Sequence, residues 1–410
     1  MSELFKEKII EFDHESGMHI QILPKKGFRR KFAALTIGFG AIESIPDGIA
    51  HFLEHKMFEK PDGDIFNKYA ALGAQCNAFT GESRTCYHFD CTENFKQNLK
   101  LLFEQVFTPY FTHENVEKEK GIIVQEINMY LDNPYYVNFA ELLKLLYKNN
   151  PVKEDIAGTE ESVMSITPEM LYKCHHDFYR PDNMCLTVVG DVDVDTVMQI
   201  VDGADLPKSS KDSAEKTIIE EPREIAGSRS VCKMDTSVPL FMFGFKDEPI
   251  KYTGIERMKR IIAGGIAAEL LFGHTSELYE DLYESGDIYS LWASYDLESD
   301  FGHFIISGES DRIETVEQKV KSYIAKIAEN GIDKYVFESL KKALCGMHVR
   351  VFDKPSTLMR IFGQFYLQDM DVFDYYDTCG KITEEDVKDV INNLLGTEMA
   401  VSIVEPKGGN

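Results

Sequence analysis

Apolar positions along the chain follow two periods. Every-second-residue alternation, rich in β-branched and aromatic side chains, predicts strands at 18–24, 32–40, 74–80 and 84–91, as in FAALTIGFG and TCYHFDC. Spacing near 3.6 predicts helices over 47–58, 64–72, 93–107, 113–131, 135–147 and 168–178. The continuous apolar run NMCLTVVG (183–190) then reads as a buried strand. After a polar stretch the series returns with a strand at 239–246, a helix at 254–272 and hairpin strands near 289–296 and 302–308. Helices at 313–329, 334–349, 355–367 and 383–394 and a strand at 398–404 complete it.

Strands that precede a run of helices predict an α+β fold, each half a mostly antiparallel sheet covered by helices on one face. The polar segment GADLPKSSKDSAEKTIIEEPREIAGS (203–228) reads as a linker between a first half-domain, 1–202, and a second, 229–410. The halves echo each other. GIAHFLEHKMF (48–58) resembles GIAAELLFGHT (265–275), and the helical run ending at DNP (132–134) matches one ending at DKP (353–355). TPEMLYKCHHDFYRPDNMCLTVVGDVD (167–193) likewise parallels TEEDVKDVINNLLGTEMAVSIVEPK (383–407). Three matches in one order at nearly constant offset point to a duplication.

The chemistry concentrates in His51-Phe52-Leu53-Glu54-His55. On a helix, positions i and i+4 share a face, so both imidazoles reach one cation, with Glu54 beside them. Two neutral imidazoles and a carboxylate form a favoured donor set for catalytic Zn²⁺, with a fourth position left for water. A neighbouring carboxylate that does not ligate can take a proton from that water. The order H-x-x-E-H is the signature of the inverted zinc peptidases. Candidates for the third donor lie in EKEKGIIVQEINMYLDNP (117–134), where Glu119 and Glu126 stand two helical turns apart on one face. Ile122, Ile123, Val124 and Ile127 surround Glu126, and a carboxylate among apolar groups is costly unless a positive charge neutralises it. Glu119 also fits a solvated stripe with Glu117, Lys118 and Lys120.

The pentad, the two glutamates and the hairpin between them resemble the insulinase/pitrilysin family of zinc peptidases, which includes the mitochondrial processing peptidase. The resemblance covers essentially the whole chain. It implies His51, His55 and Glu126 as zinc ligands, Glu54 as general base, and Glu119 as the support of a ligand from outside the coordination sphere. It also implies that Cys76-Asn77-Ala78-Phe79 presents a free strand edge to which an extended peptide substrate adds. Applying the offsets places Ala268, Leu271, Phe272 and Met347 opposite His51, Glu54, His55 and Glu126, so zinc chemistry belongs to the first half. Active members usually carry an arginine seven residues before a tyrosine in the second half. Here the tyrosine is Tyr289, which the resemblance implies as a catalytic hydrogen-bond donor to a developing oxyanion, and the arginine position holds Leu282. The resemblance therefore implies a zinc metallo-endopeptidase of short or unfolded peptides, or a weakly active or non-catalytic peptide-binding subunit of a heterodimeric processing peptidase. Longer members carry four such half-domains, so a homo- or heterodimer is expected.

Composition excludes other classes. The 69 acids against 44 bases leave a net charge of −25, which repels nucleic acid and anionic membranes. No apolar run is long enough to span a bilayer, and MSELFKEKIIEFDHESG lacks a signal-peptide core, so a cytoplasmic protein is expected. The eight cysteines show no C-x-x-C pair and read as thiols.

Overall fold

The computed structural model describes residues 9–207, 219–248 and 251–408. Strands and helices form two compact units. In the first, β1 (Ile10–Asp13), β2 (His19–Pro24), β3 (Lys31–Ile37), β6 (Ala74–Thr80), β7 (Thr85–Cys91) and β8 (Met184–Gly190) build one sheet, while β4 (Glu59–Lys60) and β5 (Gly63–Asp64) pair as a small ribbon. The sheet order is β1-β2-β8-β3-β7-β6, with β2–β8 parallel and the other neighbours antiparallel. In the second unit, β9 (Arg229–Met234), β10 (Leu240–Lys246), β11 (Ser290–Leu297), β12 (Gly302–Glu309) and β13 (Ala400–Pro406) run in the order β11-β12-β10-β13-β9, with β13–β9 parallel. Apart from β1, the two orders are the same sequence of hairpin, centre and parallel edge. The repeat seen along the chain is a repeat of topology, and the fold is the expected α+β pair of helix-covered, mostly antiparallel sheets.

The units do not follow the halves of the sequence. Helix Pro134–Leu146 packs on β10 and β13, whereas helix Pro355–Leu367 packs on β3 and β8. Each sheet is thus covered in part by a helix from the other half of the chain. Both contacts are tight. A methyl group on Gly363 would stand 2.2 Å from the Thr36 Oγ1, and one on Gly244 would meet Leu142 and Leu146 at 3.0 Å. Small residues at these positions let helix backbone lie against the sheet.

Of the expected linker, residues 208–218 lie outside the described residues. Residues 203–207 belong to the first unit, and 219–228 are pinned within the second: Glu221 accepts from the backbone N–H groups of Lys148, Asn149 and Asn150, and Ala226 and Gly227 donate to the Leu145 carbonyl. Two cysteines depart from the expectation of free thiols, because Cys345 and Cys379 are joined in a disulfide. They sit on helices Lys334–Val351 and Asp374–Lys381, whose packing is tertiary and leaves no local cysteine pattern.

The core of the first unit forms where the inner face of the sheet meets helices. Ile20, Ala33, Leu35, Tyr87, Phe89 and Leu186 from the strands are fully buried against Ile49, Phe52, Leu53, Leu99, Leu102 and Ile123. This core fixes the two helices that matter for chemistry, Ile49–Lys56 and His113–Leu131.

Candidate metal centre

Helix Ile49–Lys56 starts where the backbone turns left-handed at Gly48 (φ 84°). A side chain there would be strained by that φ and would also bring a Cβ to 2.3 Å from the Ala157 carbonyl oxygen, so glycine is required twice over. Ile49, Ala50, Phe52 and Leu53 enter the core and leave His51, Glu54 and His55 along the helix flank. His51 and Glu54 are each 8% exposed.

The second helix, His113–Leu131, presents Glu119 and Glu126 to that flank. Glu126 Oε2 lies 3.4 Å from His55 Nε2 and 3.8 Å from His51 Nε2. The three donors all lie within 4.8 Å of one another. Bonds to zinc of about 2.0–2.2 Å place tetrahedral donors about 3.3–3.5 Å apart, so the cluster has nearly the spacing that such an ion imposes.

The protonation states suit the same use. Burial and the neighbouring His55 pull His51 down to about 3, which keeps its imidazole neutral with a lone pair free. Its Nδ1 is buried without a hydrogen-bond partner among the described residues. Burial also lowers His55, but the hydrogen bond to Glu119 and the charges of Glu54, Glu119 and Glu126 outweigh it and raise the pKa above the usual histidine range. That hydrogen bond joins His55 Nδ1 to Glu119 Oε1 at 3.1 Å. In the neutral imidazole, the form that a bound cation would select, a proton held on Nδ1 leaves Nε2 as the lone-pair atom facing Glu126. Glu119 is itself held below the usual carboxylate range, since the contacts to His55 and Lys56 outweigh its burial. These donors fit a divalent ion of the zinc class.

Glu54 stands beside the cluster. Burial pushes its carboxyl up to about 7, although His55 and the Thr80 hydroxyl pull the other way. Thr80 Oγ1 donates to Glu54 Oε2 at 3.1 Å from the end of β6. A cavity of about 740 Å³ opens on Glu54 and His55 and is walled by Phe58, Phe66, Tyr110 and Ile122. Phe58 and Phe66 stack with their ring centroids 4.5 Å apart.

Strand β6 is the last strand of its sheet, so one edge has no strand partner among the described residues. Cys76 and Ala78 rest on the core, whereas Asn77 is exposed and lines the same cavity. Phe79 is half-buried, and Tyr87, which pairs with Ala78 across the hairpin, is fully buried. Tyr289 belongs to the second unit. It is 57% exposed, and its hydroxyl donates to Asp311 at 2.5 Å. Leu282 is fully buried in helix Glu277–Glu284. At the positions that the sequence repeat matches to His51, Glu54 and His55, Ala268, Leu271 and Phe272 are buried apolar residues, and Met347, matched to Glu126, is exposed. Sequence reasoning missed Thr80 and Lys56; a hydroxyl two residues past the hairpin strand's Ala78 and a charged residue inside an apolar helix flank were the available signals.

Comparison with known proteins decides the family. Residues 29–160 match the model of insulinase (peptidase family M16), and residues 165–344 match the model of the peptidase M16 inactive domain. The chain belongs to the insulinase, or M16, family. Among curated members, the uncharacterized zinc protease YmfH of Bacillus subtilis is 34% identical over 99% of this chain and 98% of its own. A second from that organism, the uncharacterized zinc protease YmxG, is 25% identical over 96% of this chain and 97% of its own. The crystal structure of a candidate M16-like peptidase from Alicyclobacillus acidocaldarius superposes with a TM-score of 0.93 at 31% identity, over 98% of this chain and 99% of that one. A protease from Helicobacter pylori shares the M16 fold at a TM-score of 0.87 and 18% identity, over 98% and 100% of the two chains. The boundary between the two family models falls near residue 160, so His51, His55 and Glu126 lie wholly in the insulinase segment.

Proposed function

We propose that this M16 chain is a zinc metallo-endopeptidase acting on short or unfolded peptides, with Glu54 as general base. The observation behind this reading is the convergence of His51, His55 and Glu126 from two helices, with a buried carboxyl at their side. An ion bound there supplies Lewis-acid polarisation of a scissile carbonyl and lowers the pKa of water. His51, His55 and Glu126 would hold it; Glu119 would keep the His55 proton on Nδ1. Glu54, with a pKa near neutrality, is suited to accept a proton from the attacking water and return it to the leaving amine. Thr80 holds one carboxylate oxygen in place while that happens.

The free edge of β6 supports an extended substrate. Backbone pairing along Cys76–Phe79 would carry a peptide past Asn77, which lines the cavity that also opens on Glu54 and His55. A substrate side chain then enters the cavity walled by Phe58, Phe66 and Tyr110. Tyr289 is assigned to hydrogen-bond the developing oxyanion. Two chains facing each other complete a closed chamber; light scattering that returns only a monomer removes that part. Leu282, buried where an arginine is usual, favours a second reading as a weakly active peptide-binding subunit.

One experiment separates the readings. Metal content is measured together with hydrolysis of quenched fluorescent peptides, with Glu54→Gln as control. An enzyme gives about one zinc per chain and cleavage abolished by the substitution. Zinc without cleavage of any peptide supports the binding subunit, and no zinc removes the enzyme and leaves only a peptide-binding body.

A further inference from the structure

Lys56 follows His55 directly on the pentad helix and is 1% exposed. A buried ammonium costs several kcal/mol unless it is paired. Its partners are two carboxylates. Nζ contacts Glu59 Oε2 on one side, and on the other it lies 3.5 Å from Glu119 Oε2. The two oxygens of Glu119 are therefore divided: Oε1 serves His55 Nδ1 and Oε2 faces Lys56. Glu59 is the more exposed of the two acids, with its side chain 41% accessible against 15% for Glu119.

This division has consequences for the centre. A carboxylate tied by one oxygen alone can rotate away from the imidazole it supports. It can also turn its free oxygen toward a nearby cation and compete with the intended donors. Three carboxylates, Glu54, Glu119 and Glu126, surround two imidazoles here, so a stray donor is close at hand. An ammonium on Oε2 blocks both outcomes, because it anchors the rotation and occupies the second oxygen. Ile49, Ala50, Phe52 and Leu53 of the same helix and the following Met57 are buried apolar residues; apart from the polar residues of the pentad, the charge at position 56 stands alone among them. Packing alone does not account for a charge there.

Resting on the reading of His51, His55 and Glu126 as the ion's ligands, we infer that Lys56 is a positioning residue for the metal centre, acting through Glu119 to hold His55 in its ligating orientation. Groups one step removed from a zinc ligand typically affect affinity about 10–100-fold. Lys56→Met is expected to weaken zinc at least about 10-fold, at the low end of that range because it acts through an intermediary. Lys56→Arg keeps a cation on Glu119 and stays close to wild type.

The test is a zinc titration of the full chain against a chromogenic chelator. It is run on wild type, Lys56→Met, Lys56→Arg, Glu119→Gln and the Lys56→Met/Glu119→Gln double variant. If Lys56 works through Glu119, Lys56→Met costs affinity in the wild-type background and almost nothing when Glu119 is already Gln. The visible absorption of the cobalt-substituted protein shifts the same way in both single variants. A general loss of folding would instead appear in both backgrounds. Glu59→Gln gives a second measurement, since it loosens the ammonium from its outer side without altering the helix. It is expected to weaken zinc less than Lys56→Met and only while Glu119 is present. Wild-type affinity in Lys56→Met, or an equal loss with and without Glu119, overturns the inference. Failure of the wild-type chain to bind zinc would instead overturn the ligand assignment itself.

Discussion

The Thr80–Glu54 hydrogen bond makes a sharp prediction about pH dependence. Thr80 Oγ1 donates to Glu54 Oε2 at 3.1 Å, and Glu54 is 8% exposed. Hydrogen bonds to a charged partner contribute about 1.5–3 kcal/mol. At 3.1 Å this one is longer than the 2.5–2.7 Å or so of the strongest O–H···O⁻ contacts, so the low end, about 1.5 kcal/mol, applies. The bond favours the charged carboxylate, so its removal raises the pKa of Glu54. With 1.36 kcal/mol per pH unit, Thr80→Val should raise it by about one unit. A general base works when deprotonated. The acidic limb of the pH profile of kcat/KM therefore moves to higher pH by about one unit. Well below both pKa values activity falls about 10-fold, and above both it is unchanged. Thr80→Ser, which keeps the hydroxyl, should leave the limb in place. The assay is hydrolysis of a quenched fluorescent peptide from pH 5 to 9 with zinc held saturating. Superimposable limbs, or a shift to lower pH, would refute the role given to this bond.

Two further outcomes concern the scaffold. His175 is buried, donates from Nε2 to the Val106 carbonyl at 2.8 Å, and is pulled by burial down to about 4 against a partly compensating hydrogen bond. Its folded pKa lies below the unfolded value of about 6.5, so the stability it contributes is present above that pH and lost as pH falls toward 4. Urea denaturation should show His175→Gln losing less stability than wild type between pH 6.5 and pH 4.5, by about 2 kcal/mol; equal losses contradict the assignment. Gly48→Ala forces a side chain into the left-handed region and against the Ala157 carbonyl, which should cost about 1–3 kcal/mol and loosen the start of the pentad helix. Its urea midpoint falling no lower than that of wild type contradicts the stated requirement for glycine.

Much of this architecture was readable from local pattern. The pentad and the paired glutamates announced themselves through helical spacing, because both sets act along single helices. The hairpin Ala74–Thr80 with Thr85–Cys91 was visible because alternation and a turn lie side by side in sequence. Elements whose identity depends on distant partners were not. Strand Arg229–Met234 alternates half-buried and exposed residues and exists through parallel pairing with Ala400–Pro406, far along the chain. Helices Val194–Asp202, Glu277–Glu284 and Asp374–Lys381 are short, with few buried residues each. The exchange of helices Pro134–Leu146 and Pro355–Leu367 between sheets was also hidden. An amphipathic pattern says that one face is buried, not which sheet buries it. For the same reason the pairing of Cys345 with Cys379 had no local sign.

The most direct test is anomalous diffraction at the zinc absorption edge from crystals of the zinc-reconstituted protein. A single strong peak within about 2.2 Å of His51 Nε2, His55 Nε2 and a Glu126 oxygen is predicted. Glu119 should remain on the far side of His55, bonded to its Nδ1. A peak coordinated by other residues, or none near this trio at full zinc occupancy, contradicts the account.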